Sequence, residues 1–354
     1  MKVLFIINGL GLGNSTRCDA IIEQLLKRQA IVDIATSGNG VAYFQDKRLH
    51  GQLYPMCSIS YGKSRVGKLS ILRTMLSLPQ MLNCYFRNVV STWRVISKNK
   101  YDVVVIDSEY SMLFLKPFFK GKIVAINNSD MVLHYCRKIT LPLSTCSQYL
   151  VEIADNLFHR LVPDLVLAPT LIPFKSGAKV IHLAPLVRDG LIQGSVRPSP
   201  VSILAMLSGS SFGTQTHFLK AIRFPEHVHV DVVGREGFST SQMTFHGKKS
   251  DNAAIINNAD IMIINGGFSA VSEAVVLGKP CIILPIENHA EQLVNALIVE
   301  ELGLGLVASE EDIALKVEEL LHFYSDFLSR HKKLSFQMDA ASKAAQLIEE
   351  AISI

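Results

Sequence analysis

The chain has 354 residues, about two domains at the usual ~100–200 residues each. Apolar residues make up 49% of it and charged residues 19%, so each half can bury its own core, and the balance is that of a folded protein rather than a disordered one. No stretch approaches the ~18–20 uninterrupted apolar residues of a membrane-crossing helix, which excludes a spanning protein.

The net charge is +4, but it is unevenly spread, at +11 over residues 1–190 and −7 over residues 191–354. From Lys47 to Tyr101 there are ten Lys or Arg and no acidic residue. Such a segment is either a solvated basic face or a contact for something anionic, such as a lipid headgroup, a phosphorylated acceptor or a nucleic acid. No nucleic-acid-binding motif accompanies it, so nucleic acid is not expected as a partner. The six cysteines (18, 57, 84, 136, 146 and 281) show no metal-ligand spacing and are expected as reduced thiols of a cytoplasmic protein.

Short apolar runs alternate with amphipathic stretches, the pattern of βαβ units and parallel sheets. Lys2–Asn8 could be taken for the front of a signal peptide, but glycines interrupt it and no small-residue cleavage site follows. It reads as the first buried strand, followed by strands at Ile31–Thr36, Asp102–Asp107, Lys122–Ile126 and Leu165–Ala168. Helical periodicity falls at Thr16–Arg28, Leu69–Leu82 and Phe86–Ser97. Pro and Gly then cluster, and the pattern restarts with strands at Ser202–Leu207, His229–Val233, Ile261–Ile264 and Cys281–Pro285. Helices are expected at Asp251–Asn258, Glu310–Leu328 and Leu334–Ile352. The implied organisation is residues 1–185, a linker at 186–200, a second domain at 201–333, and a helix at 334–354 that packs back on the first domain. Two doubly wound sheets bind ligands beyond the carboxyl ends of their strands.

The most informative segment is Asn265-Gly266-Gly267-Phe268-Ser269-Ala270-Val271-Ser272-Glu273-Ala274. Gly266 and Gly267 at a strand end let a ligand approach the backbone. The helix start at Phe268 and Ser269 offers amide N–H groups and the positive end of a dipole to a diphosphate. Glu273 can accept from ribose hydroxyls. By itself the segment is equally an ordinary strand-to-helix turn capped by Ser269. Two further junctions accompany it: Gly209, Ser210 and Ser211, suited to phosphate oxygens, and Glu291-Gln292-Leu293-Val294-Asn295-Ala296 beyond the adjacent strand.

The series G-G-x-S-x-x-S-E-A, G-K-P and E-Q-x-x-N-A resembles the C-terminal signature of GT-B glycosyltransferases. It is most similar to the branch that adds N-acetylglucosamine to peptidoglycan lipid intermediates (glycosyltransferase family 28). The likeness covers Ser202 to Val307. It implies two Rossmann-like domains facing across a cleft and a UDP-sugar donor, transferred with inversion and without metal or other cofactor. Residue by residue, it implies that Glu273 binds the donor ribose and that Gly209–Ser211 and Gly266–Ser269 flank the diphosphate. Glu291 and Gln292 would meet the sugar, and Phe245 and His246 would clasp the uracil through backbone groups.

In the first half, Gly9 to Arg17 lacks the third glycine of a dinucleotide fingerprint, where Asn14 stands, and no acidic residue ends the second strand. NAD is therefore not expected. The run resembles the glycine loop of the same transferases, with Gly11, Gly13 and Arg17 as an acceptor or phosphate loop. A microbial branch reads G-x-G-H-x-x-R here, and Asn14 replaces its histidine. An amide has no useful basicity. The candidate bases are then Asp107 and Glu109, at the carboxyl end of a buried strand. Each has a plainer role open to it, as a helix cap or a first-turn charge. His134, Arg188 and Asp189 remain open. A UDP-sugar hydrolase and a nucleotide-sugar-binding protein with impaired catalysis are the alternative readings. The basic, apolar segment 61–100 suits either burial or a lipid-linked acceptor at the inner face of a membrane.

Overall fold

The computed structural model describes residues 1–45, 47, 51–58, 76–139, 142, 145–194, 196–207, 216–249 and 251–353. The chain divides into two compact units. One comprises Met1–His134, Tyr149–Arg188 and Asp339–Ile354; the other comprises Tyr135–Gln148 and Asp189–Met338.

The strands are β1 (Lys2–Ile7), β2 (Ile31–Thr36), β3 (Leu53–Pro55), β4 (Val103–Asp107), β5 (Lys122–Ile126), β6 (Leu165–Pro169) and β7 (Val180–Leu183), then β8 (Ser202–Met206), β9 (His229–Val233), β10 (Met243–Phe245), β11 (Ile261–Ile264), β12 (Cys281–Ile283) and β13 (Gly305–Val307). In the first half the helices are α1 (Leu12–Lys27), α2 (Gly38–Gln45), α3 (Leu78–Lys98), α4 (Met112–Leu115), α5 (Ser129–Cys136) and α6 (Cys146–Leu161). A short 3₁₀ turn at Lys116–Phe118 follows α4. The remaining helices are α7 (Ala253–Asn258), α8 (Phe268–Val276), α9 (Ala290–Glu301), α10 (Ile313–His322), α11 (Tyr324–Leu334) and α12 (Ala340–Ser353).

Every strand pairing is parallel. The first sheet runs β3-β2-β1-β4-β5-β6-β7 and the second β10-β9-β8-β11-β12-β13. Both are doubly wound. In the first, the winding reverses between β1 and β4, which pair Ile7 with Asp107. In the second it reverses between β8 and β11, which pair Met206 with Ile264. The central strands are apolar on both faces, as parallel strands covered by helices must be: Val3 to Ile6 and Ile261 to Ile264 are all 0–1% exposed.

Three expectations are corrected. The break expected between Leu82 and Phe86 is absent: α3 runs unbroken from Leu78 to Lys98, and the turn lies before it at Ser77. Pro79 sits in its first turn, where its missing N–H costs nothing. The helix expected at Glu310–Leu328 is two, broken at Phe323. The expected set of reduced thiols is also wrong for one pair, because Cys57 and Cys84 form a disulfide.

The first unit's core takes a layer from the far end of the chain. Ala340, Ala341, Ala344, Ala345, Ile348 and Ala351 of α12 lie in the same cluster as Cys18, Ile21 and Ile22 of α1. Small alanines let the two helices approach closely, and Arg28 reinforces the seam by donating to Glu349 at 3.1 Å. Ile348 is fully buried there. Ile348→Ala is expected to cost about 2–4 kcal/mol in urea unfolding, the usual range for an isoleucine truncated in a close-packed core. An exposed α12 would leave the midpoint unchanged.

Candidate functional site

In the first unit the reversal point brings together the loop after β1 and the exit of β4. Asn8 joins the two. Its backbone N–H donates to Asp107 at 3.0 Å. Its side-chain amide donates to the Ser108 carbonyl at 3.1 Å and its side-chain oxygen accepts from Leu10 at 3.0 Å. α1 begins four residues earlier than periodicity predicted, at Leu12, so Gly13 and Asn14 lie in its first turn. Gly11 caps it in an extended conformation, with no side-chain capping bond. The Asn14 amide makes no hydrogen bond among the described residues and is half-buried.

Arg17 and Asp107 form a buried two-point ion pair. Nε meets Oδ2 at 2.6 Å and the terminal nitrogen meets Oδ1 at 2.5 Å. Both side chains are at most 5% exposed. Cys18 donates to the same carboxylate at 3.2 Å. Burial, together with Asp107's charge, pushes the Cys18 thiol well above its usual value. This engagement corrects two expectations. Arg17 is a brace beneath the loop rather than a phosphate-facing cation. Asp107 has both oxygens occupied, so it does not suit proton abstraction.

Glu109 differs. It follows Ser108, whose φ of +49° is a left-handed conformation that non-glycine residues adopt at a cost. Its carboxylate is buried and accepts from Ser111 twice, from the backbone at 2.8 Å and the hydroxyl at 2.6 Å. Burial raises its pKa, while the Ser111 bonds and the Asn88 amide pull it partly back. The nearby phenol of Tyr85 is pushed up to about 12 by its own burial and by Glu109's charge. A carboxylate with raised basicity at a strand end is the pattern of a general base.

In the second unit, β11 opens into Asn265, Gly266 and Gly267, and α8 starts at Phe268 with Gly267 as an uncapped N-cap. The two glycines differ. A Cβ on Gly266 would lie 2.4 Å from the backbone oxygen of Gln292, whereas one on Gly267 would meet nothing within 4 Å. Gly266 is needed for packing; Gly267 leaves open space over the helix start. The first unit repeats the arrangement. A Cβ on Gly9 would lie 1.6 Å from the Ser37 oxygen, and one on Gly11 would meet nothing. Gly9 was not among the residues singled out by sequence.

Three amides brace the glycine turn. Asn265 donates to the Leu284 carbonyl at 2.9 Å. Gln292 accepts from the Ile286 N–H at 3.0 Å. Asn295, the asparagine of the E-Q-x-x-N-A motif, donates to the Gly266 carbonyl at 2.9 Å. Gln292 and Asn295 are one turn apart on α9, so the E-Q-x-x-N-A motif holds the loops after β11 and β12. Glu291 lies half-buried in the same first turn. Phe268 and Glu273 are buried on α8, and Ser269 is half-buried. The lysine of G-K-P is structural. Lys279 is fully buried, donates to the Asn257 carbonyl at 3.1 Å and to that of Ala259, and is brought down to about 8 by burial.

Gly209, Ser210 and Ser211 lie outside the described residues. Phe245 ends the edge strand β10. Its N–H donates to the Ser239 hydroxyl at 3.0 Å, and that of His246 donates to the Val232 carbonyl at 2.9 Å. The His246 ring lies 2.7 Å from Asp231. Both backbone N–H donors are thus already used within the second unit.

The profile of glycosyl transferase family 1 matches residues 1–327. The chain belongs to that family. It is 23% identical over 383 residues to an uncharacterised glycosyltransferase of Methanosarcina acetivorans, covering 99% of both chains. It is 23% identical over 376 residues to the UDP-N-acetylglucosamine–N-acetylmuramyl-(pentapeptide) pyrophosphoryl-undecaprenol N-acetylglucosamine transferase of Natranaerobius thermophilus, covering 97% of this chain and 95% of that one. Among solved structures it is similar to the Streptomyces glycosyltransferase SsfS6 complexed with thymidine diphosphate, with a TM-score of 0.63 and 16% identity over 99% of both chains. The fold is that of the GT-B glycosyltransferases.

The glycine pairs make a direct prediction for this transferase. Gly266→Ala should unfold at a lower temperature because its Cβ collides with backbone. Gly267→Ala, at an ordinary φ of −64°, should melt like the parent but bind nucleotide more weakly. Equal melting temperatures for the two variants would contradict the assignment.

Proposed function

We propose that the protein moves a sugar from a UDP-sugar to an acceptor hydroxyl, with inversion and without a metal ion. Residues 201–333 are the donor domain and 1–185 the acceptor domain. The open Gly267 at the uncapped start of α8, three residues beyond the end of β11 at the reversal of the second sheet, is the observation that carries this reading.

The donor diphosphate rests on the amide N–H groups at Gly267–Ser269, where the helix dipole favours negative charge. Glu273 takes the ribose hydroxyls, and Glu291 lies towards the sugar. Gln292 holds the adjoining loop in shape. Glu109 removes the proton from the acceptor hydroxyl as its oxygen attacks the anomeric carbon. The bond to the diphosphate breaks on the opposite face, which inverts the configuration. The charge that develops on the leaving diphosphate falls on preorganised amides, which stabilise it without a cation. Asn14, with an amide unengaged among the described residues, orients the acceptor.

The acceptor is proposed to be lipid-linked and the protein peripheral at the inner face of a membrane. α3 supports this. Leu78, Leu82, Phe86, Val90 and Trp93 are exposed at helical spacing, while its buried face carries Cys84, Asn88 and Thr92. Phe114 stacks on Phe86 at 6.4 Å and Phe118 meets Trp93 at 5.8 Å. Among the described residues, no helix is long and apolar enough to cross a membrane. An apolar face flanked by Arg87, Arg94 and Lys98 suits the interface of an anionic bilayer.

Calorimetry with UDP, TDP and their sugars tests the donor site, and Glu273→Ala should weaken nucleotide binding about tenfold or more, the loss of one or two hydrogen bonds to a charged group. Wild-type protein that binds neither nucleotide would remove the reading. UDP released equally with and without acceptor would make it a hydrolase.

Glu109→Gln should lower kcat by about 10²–10⁴-fold, the usual contribution of a positioned base. Glu109 acts only when ionised, and burial raises its pKa. Turnover should therefore rise with pH through a midpoint above the ordinary carboxylate range. Full turnover by Glu109→Gln would disprove the base.

Phe86→Ser with Trp93→Ser should abolish sedimentation with anionic vesicles while leaving UDP affinity intact. Binding equal on neutral and anionic vesicles would count against the membrane contact.

A further inference from the structure

Four non-glycine residues among those described have a positive φ: Gln29, Ser108, Asn288 and Ser335. Gln29 and Ser335 stand at the C-terminal ends of α1 and α11, where a left-handed residue is a common stop. Asn288 is of the residue type that tolerates this region best. Ser108, at +49°, has neither reason. Its side chain makes no hydrogen bond among the described residues. A serine relaxes to negative φ unless its surroundings prevent it, so something holds this one.

The hold comes from across the reversal of the first sheet. The Asn8 side-chain amide donates to the Ser108 carbonyl at 3.1 Å. Asn8 is itself fixed, by its N–H on the Asp107 carbonyl at 3.0 Å and by its side-chain oxygen, which accepts from Leu10 at 3.0 Å. The start of α2 steadies the same loop. The Asn39 side-chain amide donates to the Leu10 carbonyl at 2.9 Å, and its N–H donates to that of Gly9 at 2.9 Å.

Glu109 is the next residue along the chain. Relaxation of Ser108 to the right-handed region would turn its φ by roughly 110°. On one side β4 is fixed in the sheet. On the other, Ser111 and Met112 are fully buried, and the Thr92 hydroxyl of α3 donates to that of Ser111 at 3.2 Å. The rotation must then be taken up between these anchors, at Glu109 itself. Its carboxylate would leave the Ser111 N–H and hydroxyl that now hold it at 2.8 and 2.6 Å.

We propose that Asn8 is a positioning residue, whose amide holds Ser108 left-handed and thereby sets the Glu109 carboxylate on Ser111. The catalytic consequence rests on Glu109 being the base; the conformational one does not. Asn8 acts through the backbone, by one hydrogen bond and one torsion, and touches neither the carboxylate nor a substrate.

The test is a double-mutant cycle in the full chain between Asn8→Ala and Ser108→Gly. Glycine takes this φ without support, so it should make Asn8 dispensable. Hydrogen exchange at the Ser111 N–H, followed by NMR, reads the position of the Glu109 carboxylate without any ligand. Asn8→Ala should speed that exchange about fivefold or more, the scale of one lost hydrogen bond. Val104 and Ile106 in β4 should keep their rates, which a general loosening of the fold would not allow. Ser108→Gly alone should leave Ser111 unchanged, and the double variant should return to the parent rate.

UDP release from UDP-N-acetylglucosamine, with water in place of the acceptor, should fall about tenfold or more in Asn8→Ala, the scale of a misplaced catalytic group. UDP affinity should be unchanged, and release should recover in the double variant. Should Asn8→Ala fail to fold, Asn8→Asp keeps the oxygen that Leu10 uses and loses the donor that Ser108 uses, and the same changes are expected of it. Unchanged Ser111 exchange in both Asn8 variants, or a double variant as fast as Asn8→Ala, would overturn the proposal. Full turnover by Glu109→Gln would remove only the catalytic consequence, even where the Ser111 rates bear out the brace.

Discussion

Parallel pairing is the constraint on which the rest of this molecule depends. Parallel strands cannot be joined by tight turns, so each must be followed by a crossover, and every loop that leaves a carboxyl end appears on one edge of the sheet. Where the winding reverses, two adjacent strands send their chains to opposite faces and a gap opens between the loops. Here that happens at β1/β4 and at β8/β11. Gly9, Asp107 and Glu109 gather at the first reversal, and Asn265 to Gly267 sit at the second. Residues roughly a hundred apart in sequence meet because of topology, before any side chain acts.

Side-chain chemistry then separates rigidity from access. In each unit one glycine is forced by backbone contact and another faces open space. The forced one fixes where the loop runs, and the open one leaves room for a ligand. The same division applies to the carboxylates of β4. Asp107 is saturated by Arg17, and a buried ion pair of this kind is destabilising to break rather than available for chemistry. Because the pair is neutral as a whole, it leaves Glu109 governed mainly by its own burial.

The fold was legible in its centre and illegible at its edges. The apolar runs Lys2–Asn8, Ile31–Thr36 and Ile261–Ile264 announced strands because both faces are covered. The four strands that periodicity missed, β3, β7, β10 and β13, are the outer strands of the two sheets. β3 and β10 have no buried residue, β7 buries only Leu183, and β3, β10 and β13 have three residues each. The same limit applied to the site. The motif around Gly266 was readable as local strand-to-helix chemistry. That Asn295 grips Gly266, that Arg17 neutralises Asp107, and that Cys57 meets Cys84 are contacts across 27 or more residues. No spacing encodes them; they follow only from the sheet order.

The loss of a histidine at Asn14 then has a physical reading. An imidazole in the first turn of α1 would lie at a helix N-terminus, where the dipole disfavours its protonated form and holds it as a base. An amide there can only orient. The chain instead carries, at the neighbouring strand end, the Glu109 carboxylate, whose basicity is raised by burial and which is held in place by Ser111. Burial raises the basicity of such a carboxylate but also makes it sensitive to each hydrogen bond it keeps. A proposed base of that kind needs a rigid shell. α3 supplies it from its inner face, leaving its outer face free to be apolar.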